Sequence, residues 1–410
     1  MANKPKQHVS GRPRLSRDGQ QWAFDLAVKD NGRVMHFQPD GRGALPRAVR
    51  SHAMISKHLG KAAQRLERLA DEELAAGHAE TALDIYLDAA VAFIHAQHPI
   101  FDVNDEKRLL HGSALRCYDA VRQLAPYAIE HVDVEWDDGS PPVAGNLHLL
   151  PGTEPRPCVF FIPGWDVAKE MYPHPRLNHA HQRGMHLFSF DGPGQGESNL
   201  RGVALRPDNY ERAASAAIGR LLDRPEISEI VVFGQSFGSF WAVRTAAADD
   251  RVRALAAPWF SGCDRYYLMT EESPRFKQLF AHLSRAGSEA EVDELMEQMT
   301  NHGDMAKIRC PTLLTVGEYD PRSPLDEVYA LYDELAAPKE LWVFADQHHP
   351  NALTGAPDVG NQDTIKLGLD WLRDRLEGKP LRHDGQVLYV EPGGGSPNGT
   401  ATVGRRHWFD

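Results

Sequence analysis

The chain is poor in the features that would point to a disulfide scaffold, a membrane span or a nucleic-acid surface. It has four cysteines in 410 residues. Cys117, Cys158, Cys263 and Cys310 are widely scattered with no Cys-x-x-Cys spacing, which argues against a disulfide framework or a thiolate metal site. Cys158 and Cys310 adjoin apolar runs, where small buried hydrophobes are expected. No apolar stretch is long enough to span a bilayer, and residues 1–7 carry no apolar signal region, so the expectation is a cytoplasmic protein with reduced thiols and no membrane partner. Positive charge is in deficit: 45 Lys+Arg against 57 Asp+Glu gives a net charge of −12. With no basic block of consequence, nucleic acid is excluded as the principal partner.

What is present is an α/β pattern with a helical segment ahead of it. Residues 1–44 are polar and rich in Gly and Arg, an N-terminal arm. Residues 45–128 show helical periodicity. Ala62, Leu66, Leu69, Ala70 and Leu74 form one stripe, ended by Gly77; Ala82, Tyr86, Ala89, Ala90 and Phe93 form a second; Leu110, Ala114, Cys117, Tyr118 and Val121 form a third, with Asn104 as its N-cap. Near residue 129 the period changes. Residues 130–136 and 145–150 read as a hairpin. Short apolar runs at 158–162, 185–191, 227–233, 254–259, 312–316 and 340–344 then alternate with helical stretches, the signature of a buried, mostly parallel sheet. A charged helical insertion covers about 264–306, an amphipathic helix over 364–377 closes the core (129–380), and the tail, 381–410, contains one candidate strand at 386–390.

The most specific signal is Gly234-Gln235-Ser236-Phe237-Gly238. An apolar β-branched run leads into it and a helix-compatible run leaves it, which makes it a nucleophile elbow. A serine hydroxyl is a poor nucleophile at neutral pH and needs a base, itself oriented by an acid. In this fold both follow later strands in the order Ser, Asp, His. The strand at 312–316 leads to Asp320, and that at 340–344 leads to His348 and His349. Aligning Gln347 with the small residue that usually sits two positions before the base favours His349, with His348 at the rim. Asp264, just past the strand at 254–259, competes with Asp320 for the acid's role.

The N–H of Phe237 is one oxyanion donor. The second is expected from the loop after the strand at 158–162, where Gly164 permits close approach and the N–H of Trp165 is the natural donor. The Trp165 indole either lines the acyl pocket or simply packs. Residues 191–198 superficially resemble a phosphate-binding loop but lack its Gly-Lys-Ser/Thr ending, so they read as structural. His174, His179, His181 and His186 lack a metal-ligand spacing. No cofactor and no metal is assigned.

Taken together, the helical segment around residues 81–97, the Gly-x-Asp-x-x-Lys-Glu loop (Gly164, Asp166, Lys169, Glu170), the Asp191–Gly196 loop and the elbow at Ser236 resemble one α/β-hydrolase branch. That branch includes 2,6-dihydroxypseudooxynicotine hydrolase, the Ayg1-type polyketide-shortening hydrolases of fungi and the FrsA-like proteins. The resemblance covers about residues 60–375. It implies an α/β-hydrolase fold with an N-terminal helical lid, Ser236, Asp320 and His349 as triad, Glu170 as a candidate accessory residue beside His348 and Asp264, and a homodimer. It also implies hydrolysis of a carbon–carbon bond beside a carbonyl, on an aromatic ketone or 1,3-diketone, through an acyl-enzyme. Some members act as esterases, so a carboxylesterase acting on small or aromatic esters is the alternative. A peptidase of the oligopeptidase group and a non-catalytic hydrolase-fold binding partner are the remaining rivals.

Overall fold

The computed structural model describes residues 34–35, 44–45, 49, 51, 54–137, 139–264, 275–349, 363–391 and 396–405. Of the expected N-terminal arm, a two-residue antiparallel ladder of Val34–Met35 with Ala44–Leu45 is described; the rest lies outside the described residues, as do 265–274 of the insertion and 392–395 and 406–410 of the tail.

Three helices follow: α1 (Ile55–Ala75), α2 (Ala79–Gln97) and α3 (Asp105–Leu124), with α2 packed against both others. The second and third sequence stripes are buried as expected, and the Asn104 side chain accepts the Lys107 N–H as N-cap. The first stripe requires correction. Ala70 is buried and Leu66 packs on the helical core as expected, but Leu69 and Leu74 are 42% and 39% exposed, and Ser56, Gly60 and Ala63 complete the inward face of α1. Small residues on that face let the helices approach closely, which rotates the larger leucines outward.

The described residues then build a ten-stranded sheet. Its strands are β1 (Ile129–Val134), β2 (Val143–His148), β3 (Arg156–Ile162), β4 (His186–Asp191), β5 (Ile227–Gly234), β6 (Val252–Ala257), β7 (Thr312–Gly317), β8 (Lys339–Phe344), β9 (Gln386–Val390) and β10 (Thr402–Val403). The spatial order is β10-β9-β8-β7-β6-β5-β3-β4-β2-β1. Every pair from β4 to β9 is parallel, with antiparallel strands at both edges. The tail strand thus extends the sheet, β9 lying parallel to β8.

The near-continuous burial of β3, β4, β7 and β8 has a direct cause: helices cover both faces. One face packs on α10 (Asp363–Leu376) through Ile365, Leu369 and Leu372. The other packs on α5 (Tyr210–Leu222), α6 (Gly238–Ala248) and α9 (Leu325–Glu334), following the short α4 (Gly196–Arg201). The insertion contributes α7 (Arg275–Ser284) and α8 (Glu289–Glu297), and buries Phe276, Leu279, Phe280 and Leu283 in the same core as Trp165. All four cysteines are free and buried. Among the described residues, no helix is long and apolar enough to cross a membrane.

Candidate active site

At the end of β5 the chain turns sharply into α6, and Ser236 takes a left-handed φ of +56°. This conformation costs a non-glycine residue about 1–3 kcal/mol and is held by its surroundings. Gln235 N–H donates to Ile162 O and Ser236 N–H to Pro258 O, both at 3.1 Å, tying the turn to the last residue of β3 and the first beyond β6. The motif glycines answer a steric demand. A Cβ on Gly234 would lie 2.3 Å from Ala242 Cβ, and one on Gly238 would lie 2.2 Å from Ile162 O. Strand, turn and helix can close this tightly only without those side chains.

Parallel pairing of β7 with β8 in register (Gly317 opposite Phe344) sets the two following loops side by side. Tyr319 N–H donates to Gln347 O at 2.9 Å across them. This brings Asp320 and His349 to the serine. Ser236 Oγ lies 2.7 Å from His349 Nε2, and His349 Nδ1 lies 2.6 Å from Asp320 Oδ2. A carboxylate at Nδ1 fixes the tautomer that leaves Nε2 as an acceptor facing the hydroxyl. The other carboxylate oxygen, Asp320 Oδ1, accepts the Arg322 N–H at 3.0 Å, so the acid is held at both ends. Asp320 and His349 are both buried.

Phe237, the residue after the serine, is the N-cap of α6 with helical dihedrals, so its N–H sits at a helix N-terminus, where partial positive charge favours an anion. The rings of Phe237 and Trp165 stack, with centroids 4.2 Å apart, and the indole stacks in turn against Phe276 of α7 at 5.1 Å. The Trp165 side chain is therefore packed in the core. Asp166 comes from the same loop: a Cβ placed on Gly164 would lie 3.5 Å from Asp166 Oδ1 and 3.6 Å from Ser236 Cβ. Asp166 was given no role of its own from the sequence, though its place two residues after Gly164 was the available signal. Arg322, as the backbone clamp on Asp320, left no such signal.

His348, Asp264 and Glu170 are not drawn into this arrangement. His348 turns away, its Nδ1 2.8 Å from Tyr319 O. Asp264 sits with His302 and Glu327, ligand-type atoms within 4.8 Å of one another. Both His302 nitrogens are engaged there, with Glu334 at 2.5 Å and Glu327 at 3.1 Å. Burial would lower the His302 imidazole, but these carboxylates push it up. Glu170 is buried against Lys169 Nζ, which also meets Glu197 at 2.7 Å and Asp191 at 3.7 Å. Burial opposes the Lys169 charge; three carboxylates overcome it and hold the ammonium charged. Burial also pushes the Asp191 carboxyl well above the usual carboxylate range. The Asp191–Gly196 loop is anchored by the same group, since Asp191 accepts the N–H groups of Lys169 and Glu197 at 2.8 and 2.9 Å. The four histidines of residues 174–186 each have separate partners: His174 faces Asp84, His179 Gln182, His181 the carbonyl of His148, and His186 the carbonyl of Glu226.

Residues 153–292 match the family described as serine aminopeptidase, S33. The 2,6-dihydropseudooxynicotine hydrolase of Paenarthrobacter nicotinovorans is 30% identical over 326 residues, covering 77% of this chain and 82% of that one. Hydrolase LUC6 of a Fusarium species is 27% identical over 337 residues, 69% of this chain and 79% of its own length. The crystal structure of 2,6-dihydroxy-pseudo-oxynicotine hydrolase superposes with a TM-score of 0.68 at 26% identity, over 80% of this chain and 90% of that one. With sequence and fold in agreement over most of its length, the chain belongs to the α/β-hydrolase family of 2,6-dihydropseudooxynicotine hydrolase.

Proposed function

We propose that this protein hydrolyses a carbon–carbon bond adjacent to a carbonyl, on an aromatic ketone or 1,3-diketone, through a Ser236 acyl-enzyme. The observation that carries the reading is the unbroken relay from Ser236 Oγ through His349 to Asp320, at 2.7 and 2.6 Å, on a turn with φ +56°. Ser236 attacks the carbonyl carbon as His349 Nε2 takes its proton, and Asp320 supports the imidazolium charge. The N–H groups of Phe237 and Trp165 stabilise the tetrahedral oxyanion. Collapse breaks the carbon–carbon bond. The departing carbon, stabilised as an enolate or an electron-rich ring, takes the proton from His349. Water deprotonated by His349 then attacks the acyl ester and releases a carboxylic acid and free Ser236.

The helical segment α1–α3 acts in this reading as a lid. Its support is contact: α2 and α3 touch the short helix Lys169–Met171 at the end of the oxyanion loop, and Ala168 is buried in the helical segment's own core. The triad serves an ester equally well, so the bond cleaved is chosen by the pocket. Mass-spectrometric product analysis on acyl-aromatic 1,3-diketones and matched aryl esters, with Ser236→Ala as control, tests the proposal. Serine-dependent cleavage of the diketones is expected. Turnover of the esters alone would make the protein a carboxylesterase.

A further inference from the structure

Three segments distant in the chain meet at one cluster: Asp264 from the loop after β6, His302 from the stretch leaving the insertion, and Glu327 from α9. His302 Nε2 lies 3.1 Å from Glu327 Oε1. Two ligands at about 2.0 Å from a tetrahedral ion stand about 3.3 Å apart, so the spacing suits a shared metal. On the other side of the ring, Glu334 Oε1, two turns further along α9, lies 2.5 Å from Nδ1. Other bonds hold the segment in place. The buried Asn301 donates Nδ2–H to Gly262 O at 2.9 Å, and Gly303 N–H donates to Glu334 Oε2 at 2.7 Å. Charge is out of balance here. Three carboxylates share one imidazole, and none of them pairs with a lysine or arginine among the described residues. Asp264 is the least provided for. Its N–H reaches Glu327 Oε1 at 3.3 Å, but its own Oδ1 is buried without a hydrogen-bond partner.

A buried carboxylate oxygen without a donor is unfavourable unless a cation or a hydrogen bond meets it. An imidazolium between Glu327 and Glu334 answers those two residues and leaves Asp264 unanswered. We propose that Asp264, His302 and Glu327 are the ligands of a zinc-type divalent cation, with Glu334 as the carboxylate that orients the histidine. Glu334 takes the Nδ1 proton in its hydrogen bond, which leaves the Nε2 lone pair for the ion, the usual support of a metal-bound imidazole. One nitrogen and two carboxylate oxygens suit Zn²⁺, with water in the fourth position. Mg²⁺ and Ca²⁺ favour oxygen ligands throughout. The His302 side chain is 37% exposed, which gives the ion a way in. Where the imidazole is charged, the ion replaces its Nε2 proton, which passes to solvent. The bound cation fastens the end of the insertion to α9 and to the loop after β6. Its role is to hold these segments together, and no step of the proposed hydrolysis passes through it.

The test is calorimetric titration of the full-length, chelator-treated protein with zinc chloride, paired with visible absorption of the protein loaded with Co²⁺. One ion per chain is expected to bind with a Kd of about 1 μM or below. Zinc at about a hundred times that Kd should raise the urea midpoint. Asp264→Asn and His302→Ala should each weaken this ion by at least about tenfold and abolish the tetrahedral Co²⁺ band, and Glu334→Gln should weaken it by about tenfold. His174→Ala, at another histidine beside a carboxylate, should change neither. Asp264→Asn keeps the size and shape of the side chain, so it decides the matter if His302→Ala fails to fold. No stoichiometric binding, or binding that Asp264→Asn leaves unchanged, overturns the proposal. Substrate cleavage is not part of the readout, so the proposed reaction and this site stand or fall separately.

Discussion

Trp165 and Phe237 stack with planes 13° from parallel although one follows β3 and the other opens α6. The stack ties together the two backbone segments from which the proposed oxyanion donors come, and Phe276 of α7 also stacks on the indole. Trp165→Ala leaves the triad intact but frees the loop. We expect kcat to fall about ten- to a hundredfold, less than the loss of a whole donor, with a smaller change in KM. Trp165→Phe should recover most of it. Steady-state kinetics of the three proteins checks this; an unchanged kcat in Trp165→Ala would mean the stack positions nothing.

The adjacent histidines separate cleanly. His349 faces Ser236 and Asp320, whereas His348 faces the Tyr319 carbonyl at the surface. His349→Ala should lower turnover by about 10⁴-fold, as removal of a triad base does. His348→Ala should stay within about threefold of the parent. A large loss from His348→Ala alone would reverse the assignment.

Lys169 stands among Glu170, Asp191 and Glu197 with no exposed surface of its own. Lys169→Met strands those carboxylates, and breaking a buried ion cluster in this way costs about 3–5 kcal/mol. The urea midpoint should drop accordingly, with Lys169→Arg between the two. An unchanged midpoint would show that the carboxylates neutralise themselves by taking up protons.

Acid should unfold this protein early. Burial lowers His148 to about 3, and His111 and His181 to about 4. Unfolded imidazoles take up protons near pH 6.5, so between that value and about 4 the unfolded chain binds more protons than the folded one. The stability tied to these three rings is therefore full above about pH 6.5 and declines as pH falls towards 4. Denaturant midpoints at pH 7.5, 6 and 5 should decrease in that order. His148→Gln, which keeps a polar group near Tyr118 and Tyr127 but cannot titrate, should flatten the slope. A flat profile in the parent protein would contradict the assignment of these rings as buried and neutral.

Much of this was written locally. The elbow was legible because Gly234 and Gly238 flank Ser236 between an apolar strand and a helix, a pattern with one steric explanation. The order of Asp320 and His349 after their strands was legible for a similar reason: parallel sheets present strand ends, and their loops, on one side. The first helical stripe was misread because periodicity alone does not tell which of two neighbouring apolar rows faces inward. The small residues at Gly60 and Ala63, beside the expected Ala70, decided it over Leu69 and Leu74. The place of β9 was not legible either, since a lone apolar run of five residues carries no register and acquires one only by pairing with β8.

The sequence by itself determined the fold class, the nucleophile's turn and the succession of serine, acid and histidine, because each depends on residues close along the chain. Only the tertiary structure brought His349 and Asp320, and not His348 or Asp264, into line with Ser236. It alone stacked Trp165 on Phe237 and set Gly164 against Ser236. The physical reason is range. Backbone propensity and hydrophobic period act over a few residues, whereas hydrogen-bond geometry, burial and uncompensated charge exist only once distant segments share the same few ångströms.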